Sequence, residues 1–250
     1  MEAIEHPPIF MLPGIPAHVT YTWVVMVILT VVAFTASRNL QMVPRGLQNF
    51  MELVLEQFLT LLDEVIGHEG RRYLPLIGTL GLFILVSNLM GLVPGLMAPT
   101  SNLNTTVACA VVVFFTYHWI GIRKQGLGAY LRHLCGPVLW LAPLMFVIEI
   151  FSHLARPLSL SVRLFGNMMG GHILLAVIFL LTGLDGLLGW VLTGKLAALL
   201  MGLPGAALLV AFTVGFLLPL KLFVAFLQTF IFCMLSMLYI AGAVEEAEHH

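Results

Sequence analysis

Apolar residues in this chain come in long unbroken runs, and polar residues are confined to short seams between them. Val19 to Ala36 is a first run, just long enough to cross a bilayer as a helix, and Arg38 closes it. From Pro44 to Ile66 the pattern changes. Leu47, Phe50, Met51, Val54, Phe58, Leu61, Leu62 and Val65 recur at helical spacing, while Glu52, Glu56 and Asp63 fall on another face. That spacing predicts an amphipathic helix with Pro44 near its start, lying in the interface or packed on its neighbours. Leu74 to Val93 is a second span with Asn88 inside it, ended by the turn signals Gly91, Pro94 and Gly95. Thr105 to Ile122 is a third.

Two further runs are too long for an upright helix. Trp140 to Leu181 would extend about 60 Å against a hydrocarbon core of about 30 Å. Ala206 to Ile240 would extend about 50 Å, with Pro219 inside it. No polar turn divides either run, and the residues after Pro157 are not loop-like. Each is therefore expected to be one long, strongly tilted helix, joined by a Gly-rich connection from Gly183 to Gly205 that holds short interfacial pieces. The expected architecture is an all-α integral membrane protein of about five membrane helices plus an interfacial amphipathic helix. It forms one membrane domain: residues 1–18 as an external N-terminus, 19–37 the first span, 44–66 the amphipathic helix, 74–122 a helical hairpin, 140–240 a long tilted antiparallel hairpin, and 241–250 a polar tail.

Composition agrees. The 250 residues are 60% hydrophobic and 9% charged, against about 25% charged in soluble domains. The net charge of −1 says little, but charge placement says more. With the N-terminus outside, Arg38, Arg45, Arg71, Arg72, Arg123, Lys124 and Arg132 all fall in inside segments, and Lys195 alone falls outside. Residues 1–18 lack Lys and Arg, so the basic region of a cleavable signal peptide is missing. Cys109, Cys135 and Cys233 are scattered in or beside apolar runs and read as small core residues.

The anomaly is Arg163, deep inside the fourth run. Arginine keeps its proton at any ordinary pH, and at mid-membrane it costs at least about 2.5–3.5 kcal/mol. Advancing about 100° per residue, Glu149, Ser152, Arg156, Ser159, Arg163, Asn167 and Gly170 share one face about 80° wide and about 30 Å long. Helix capping or bundle packing accounts for a few such residues, whereas a stripe of this length suggests a wet groove facing a partner. Gly166, Gly170 and Gly171 remove bulk and permit close approach, whether of a neighbouring helix or of a moving one. His172 lies about 180° from Arg163 and faces a different neighbour. On the fifth run, Lys221 and Gln228 are seven apart and share a face. One antiparallel register sets Arg163 level with Gln228 and His172 level with Lys221. Ionisable residues within a membrane mark ion paths by default.

These residues carry a resemblance. Leu158-Ser-Leu-Ser-Val-Arg163-Leu-Phe-Gly-Asn-Met168 resembles the signature of subunit a of bacterial F-type ATP synthases. So do Pro44-Arg-Gly-Leu-Gln-Asn-Phe-Met-Glu52, Asn88-Leu-Met-Gly-Leu-Val-Pro94 and Leu227-Gln-Thr-Phe-Ile-Phe232, in order along nearly the whole chain. The resemblance implies a stator wall against a rotating ring of c subunits, each bearing one membrane-embedded carboxylate. Two half-channels reach that wall from opposite sides. A proton enters from the periplasm, rides the ring and leaves to the cytoplasm. Arg163 would separate the half-channels with Gln228 beside it. Glu149 would stand on the exit side, and His172 and Lys221 on the entry side. Asn167, Ser159, Ser152 and Asn88 would line the path, Asn167 and Ser159 by holding water or orienting Arg163. Further implied partners are the b-subunit peripheral stalk, the rest of the complex and the lipid bilayer. No nucleic acid, cofactor or metal is implied, and no catalysis by the chain alone. The expected location is the bacterial inner membrane, N-terminus periplasmic and C-terminus cytoplasmic.

Many relatives carry a carboxylate and a histidine where this chain has His172 and Lys221, and some carry an aspartate in place of Gly91. Here Lys221 either joins His172 in a relay or positions water. Two basic groups disfavour Na⁺, so protons are the expected ion, with a Na⁺-coupled version of the same subunit as the alternative. A secondary ion transporter would show paired repeats and broken helices, and no repeat is evident. Glu149 and His153 have metal-ligand spacing, but no second His-rich motif completes a site. A free-standing channel would conduct without ring subunits.

Overall fold

The computed structural model describes residues 14–38, 40–93, 95–128, 130, 142–182, 187–193 and 196–248. Arg132, Cys135, Trp140, Gly183, Lys195 and Pro94 lie outside them, as does most of the expected N-terminal segment. The described chain is helical, with five stretches long and apolar enough to cross a membrane. Its helices are α1 (Ala17–Ser37), α2 (Leu47–Val65), α3 (Leu74–Met90), α4 (Leu103–Gln125), α5 (Ala142–Thr182), α6 (Leu187–Leu192), α7 (Leu196–Phe212) and α8 (Leu218–Glu248).

Local chemistry explains the boundaries. Pro75 sits in the first turn of α3, where its missing N–H is no loss. Asn102 caps α4, accepting the Asn104 amide at 2.9 Å. Arg123 and Lys124 fill the last turn of α4, where cations suit the helix dipole, and Gly126 follows at φ +81°. α5 runs 41 residues straight through Pro157. The Gly183–Gly205 stretch is more helical than its glycines suggest, since α7 begins at Leu196 and holds Gly202, Pro204 and Gly205. Helix-breakers are tolerated at membrane depth because neighbouring turns and helices re-satisfy the freed backbone groups. A π-turn, Thr213–Leu217, joins α7 to α8 just before Pro219. The polar tail continues α8 as helix to Glu248.

The core is built by α3, α4, α5 and α8. Ile84, Cys109, Ala110, Val113, Leu160, Leu164 and Phe232 pack together at mid-depth. Leu62, Ile77, Tyr117, Ile120, Cys233, Met237 and Ile240 form a second cluster toward one end. At that end Asp63 pairs with Arg71 at 2.6 Å, and Glu69 accepts from Arg72 and Lys124 at 2.6 Å each. These contacts tie α2 and the 3₁₀ turn His68–Tyr73 to the end of α4. Close packing uses small residues: a Cβ on Gly81 would lie 2.8 Å from both Cys233 Sγ and Phe58 Cζ. The outer surface is apolar, with Phe115 and Trp119 each 65% exposed and Phe179 62%. That distribution suits a lipid surround.

Candidate functional site: a polar stripe and two polar clusters

α5 packs one flank, Leu160, Ser161, Leu164 and Met168, into the bundle. The neighbouring flank carries Ser152, Ser159, Arg163, Gly166, Asn167 and Gly170, all exposed. The polar stripe is therefore uncovered in this chain and borders the packed face. Arg163 donates to Ser159 Oγ at 3.4 Å, a long bond to a helical neighbour. A Cβ on Gly166 or Gly170 would meet nothing within 4 Å.

Toward the end of α5, α8 and α3 come close. Asn167 Nδ2 donates to Gln228 Oε1 at 2.6 Å, and Gln228 is only 2% exposed. The expected antiparallel register holds to within a helical turn, but Asn167 rather than Arg163 engages Gln228. Asn167 thus gives its Nδ2 to Gln228, while Arg163 donates to Ser159. Gly171 receives Lys221: a Cβ there would lie 3.0 Å from Lys221 Cε. Gly91 receives His172, whose Nε2 would lie 2.9 Å from an added Cβ. Asn88 is buried, accepts from Thr100 at 2.7 Å, and reaches Ala225 O and Thr229 Oγ1 at 3.5 Å. Asn88, Gly91, Asn167, Gly171, His172 and Lys221 line one cleft of about 280 Å³. Lys221 Nζ and Gln228 Nε2 are buried with no hydrogen-bond partner among the described residues. Mostly apolar walls with these polar groups among them enclose the cleft, and its size leaves room for several waters at about 30 Å³ each.

A second polar cluster lies near the start of α5. Glu149 Oε1 is 3.3 Å from His153 Nε2, and His153 Nδ1 is 3.1 Å from the Tyr117 hydroxyl. The Arg156 guanidinium carbon lies 5.5 Å from the Tyr239 ring centre and 6.0 Å from that of Tyr117, within cation–π range. Arg156 therefore turns off the outward stripe onto these rings. Tyr117, His118 and Tyr239 escape sequence reasoning because α4 and α8 deliver them from far away in the chain. Along α5, His153 is about 15 Å from Arg163 and His172 about 14 Å on the other side. The structure thus separates Glu149 from His172 and Lys221, with Arg163 between.

The sequence of residues 19–241 matches the model of the family described as ATP synthase A chain. The chain belongs to this family. It is 47% identical over 229 residues to "ATP synthase subunit a 1" of Pelobacter propionicus, covering 92% of this chain and 88% of that one. It is 46% identical over 229 residues to "ATP synthase subunit a" of Geobacter sulfurreducens, with the same 92% and 88% coverage. With "ATP synthase subunit a 1" of Syntrophotalea carbinolica it shares 47% over 247 residues, covering 99% of this chain and 91% of the other. Membership of the ATP synthase A chain family agrees with the all-helical, multi-pass membrane architecture.

Proposed function

We propose that this chain is subunit a of a bacterial ATP synthase, the stator wall along which protons reach and leave a rotating c-ring. The chain carries no catalysis of its own; it couples proton movement to rotation. The observation that carries this reading is Arg163, exposed on an uncovered face between two polar clusters at different depths. The cleft at His172, Lys221, Asn88 and Asn167 serves as the entry half-channel from the periplasm. The Glu149 cluster serves as the exit half-channel to the cytoplasm. The exposed stripe, with Gly166 and Gly170, faces the ring. The basic end that carries Arg71, Arg72 and Lys124 is cytoplasmic, with the N-terminus periplasmic, in accord with the positive-inside rule. The b-subunit stalk completes the stator.

The physics follows from a cation that cannot shed its proton. Arg163 stabilises an ionised ring carboxylate as it passes and relays nothing itself. It therefore blocks direct leakage between the two clusters, and each proton crossing about 100 mV must deliver its roughly 2.3 kcal/mol through rotation. Replacing Arg163 with Ala in the assembled complex is expected to abolish proton-driven ATP synthesis while the subunit remains in place. Retained synthesis overturns the separator role. Proteoliposomes also decide the ion: synthesis that is Na⁺-stimulated and resistant to protonophores would replace protons by sodium.

A further inference from the structure

His153 has no part in the stripe, yet its ring is held between Glu149 and the aromatic residues of α4. Its Nε2 faces Glu149 Oε1 at 3.3 Å and its Nδ1 faces the Tyr117 hydroxyl at 3.1 Å. The Tyr117 ring stacks on it at 5.9 Å between centres, and the His118 ring lies edge-on at 5.1 Å. Tyr117 is itself 2% exposed, so the ring that grips His153 is fixed in the core. The Arg156 guanidinium lies within 6.0 Å of the Tyr117 ring centre and 5.5 Å of that of Tyr239. An i,i+4 pair on a helix surface would need none of this enclosure.

We propose that His153 is a proton-handling residue of the exit side, sharing with Glu149 one acceptor site whose tautomer Tyr117 sets. This rests on the exit role proposed above for Glu149. The hydroxyl of Tyr117 bonds Nδ1, which leaves Nε2 to face the carboxylate. When a ring carboxylic acid arrives, its O–H bond breaks and the proton joins the Glu149–His153 pair. The pair then holds it either as carboxylic acid beside imidazole or as carboxylate beside imidazolium. Release to cytoplasmic water returns the pair to its starting state, so no other reactant is needed. The two-residue store has a physical purpose. An adjoining imidazole gives a proton passed to the carboxylate a second place to rest on its way to water.

The test uses the whole complex in proteoliposomes, with passive proton conduction measured after removal of the soluble sector. His153→Gln keeps hydrogen bonding at both ends but carries no charge. Conduction is expected to fall by about tenfold or more, below the usual 10²–10⁴ for a positioned acid–base group because water substitutes in part. ATP hydrolysis by the detached soluble sector should be unchanged. His153→Ala should regain conduction when imidazole is added on the cytoplasmic side, which a packing role would not produce. Wild-type conduction in His153→Gln, or no imidazole response, overturns the proposal. If neither variant assembles, Tyr117→Phe decides: it keeps the stacked ring, and unchanged conduction and solvent isotope effect count against the proposal. Glu149→Gln separates the two readings. If it conducts normally, the exit role itself fails; if it fails to conduct while His153→Gln is normal, only the role of His153 is lost.

Discussion

Removing the Asn167 side chain tests the contact that sets α5 against α8. Gln228 is 2% exposed, accepts from Asn167 at 2.6 Å, and has no partner for its Nε2 among the described residues. Asn167→Ala leaves both ends of that amide unpaired in an apolar surround. Stranding a buried polar group costs about 1–3 kcal/mol, but interhelical bonds in membranes average about 0.6 and reach about 1.7 kcal/mol. The expected loss is about 1–1.5 kcal/mol. Gln228→Leu removes the amide altogether at similar volume, and with it the orphaned Nε2, so it should cost less than about 0.5 kcal/mol. The double variant should then resemble Gln228→Leu, a coupling equal to the Asn167→Ala loss of about 1–1.5 kcal/mol. Reversible unfolding of the purified subunit in mixed micelles, titrated with a denaturing detergent, supplies the four free energies. Zero coupling, or Gln228→Leu costing as much as Asn167→Ala, refutes the pairing and shifts the register of α5 on α8.

Three other outcomes follow from the same geometry. Gly91→Ala puts a Cβ 2.7 Å from Ala98 Cβ and 2.9 Å from His172 Nε2, so it should destabilise by about 1–3 kcal/mol and slow proton entry; thermal dissociation and conduction of the complex check both. At Gly166 an added Cβ meets nothing within 4 Å, so Gly166→Leu should largely keep the subunit's stability and insertion while proton-coupled synthesis fails; normal synthesis would remove the ring from this face. The Arg71 guanidinium, bonded to Asp63, holds that carboxyl below its ordinary 3.8. Its folded value is depressed, so the pair stabilises above the ordinary value and the effect fades as pH falls through the folded one. Arg71→Gln should lower stability modestly at neutral pH and match wild type in acid, read as melting temperature across an acid titration.

How much of this was legible in the sequence depended on whether the signal was local. The periodicity from Leu47 to Val65 acts within a turn, and α2 begins and ends close to where it predicts. The run from Trp140 to Leu181 betrayed α5 by length alone. Gly202, Pro204 and Gly205 misled, because in water they would break a helix. Here Gly202 is required by packing, since an added Cβ would lie 2.5 Å from Val191. The π-turn before Pro219 left a proline as its only trace. The Tyr117–His153 contact spans 36 positions and belongs to no periodicity. Only the folded bundle brings α4 and α8 to the start of α5.

The choice of Asn167 as partner to Gln228 bears directly on Arg163. A buried amide oxygen on α8 is the natural acceptor for a guanidinium at that depth. Asn167, one turn further along α5, donates to it, whereas Arg163 donates to Ser159. Leu160 and Leu164, fully buried, lock the helix against the rotation that would carry Arg163 inward. The arginine is therefore left on the open face with one long bond to Ser159. In bare hydrocarbon that arrangement costs at least about 2.5–3.5 kcal/mol, and nothing on α8 relieves it. Relief must come from what covers the face. An anionic group on a partner does this strongly because water is excluded there, and it does so only while it stands opposite Arg163. A stator whose cation is satisfied by its own helices would attract a passing carboxylate weakly. On the role proposed above, an Arg163 left unpaired by α8 keeps that attraction for the rotor.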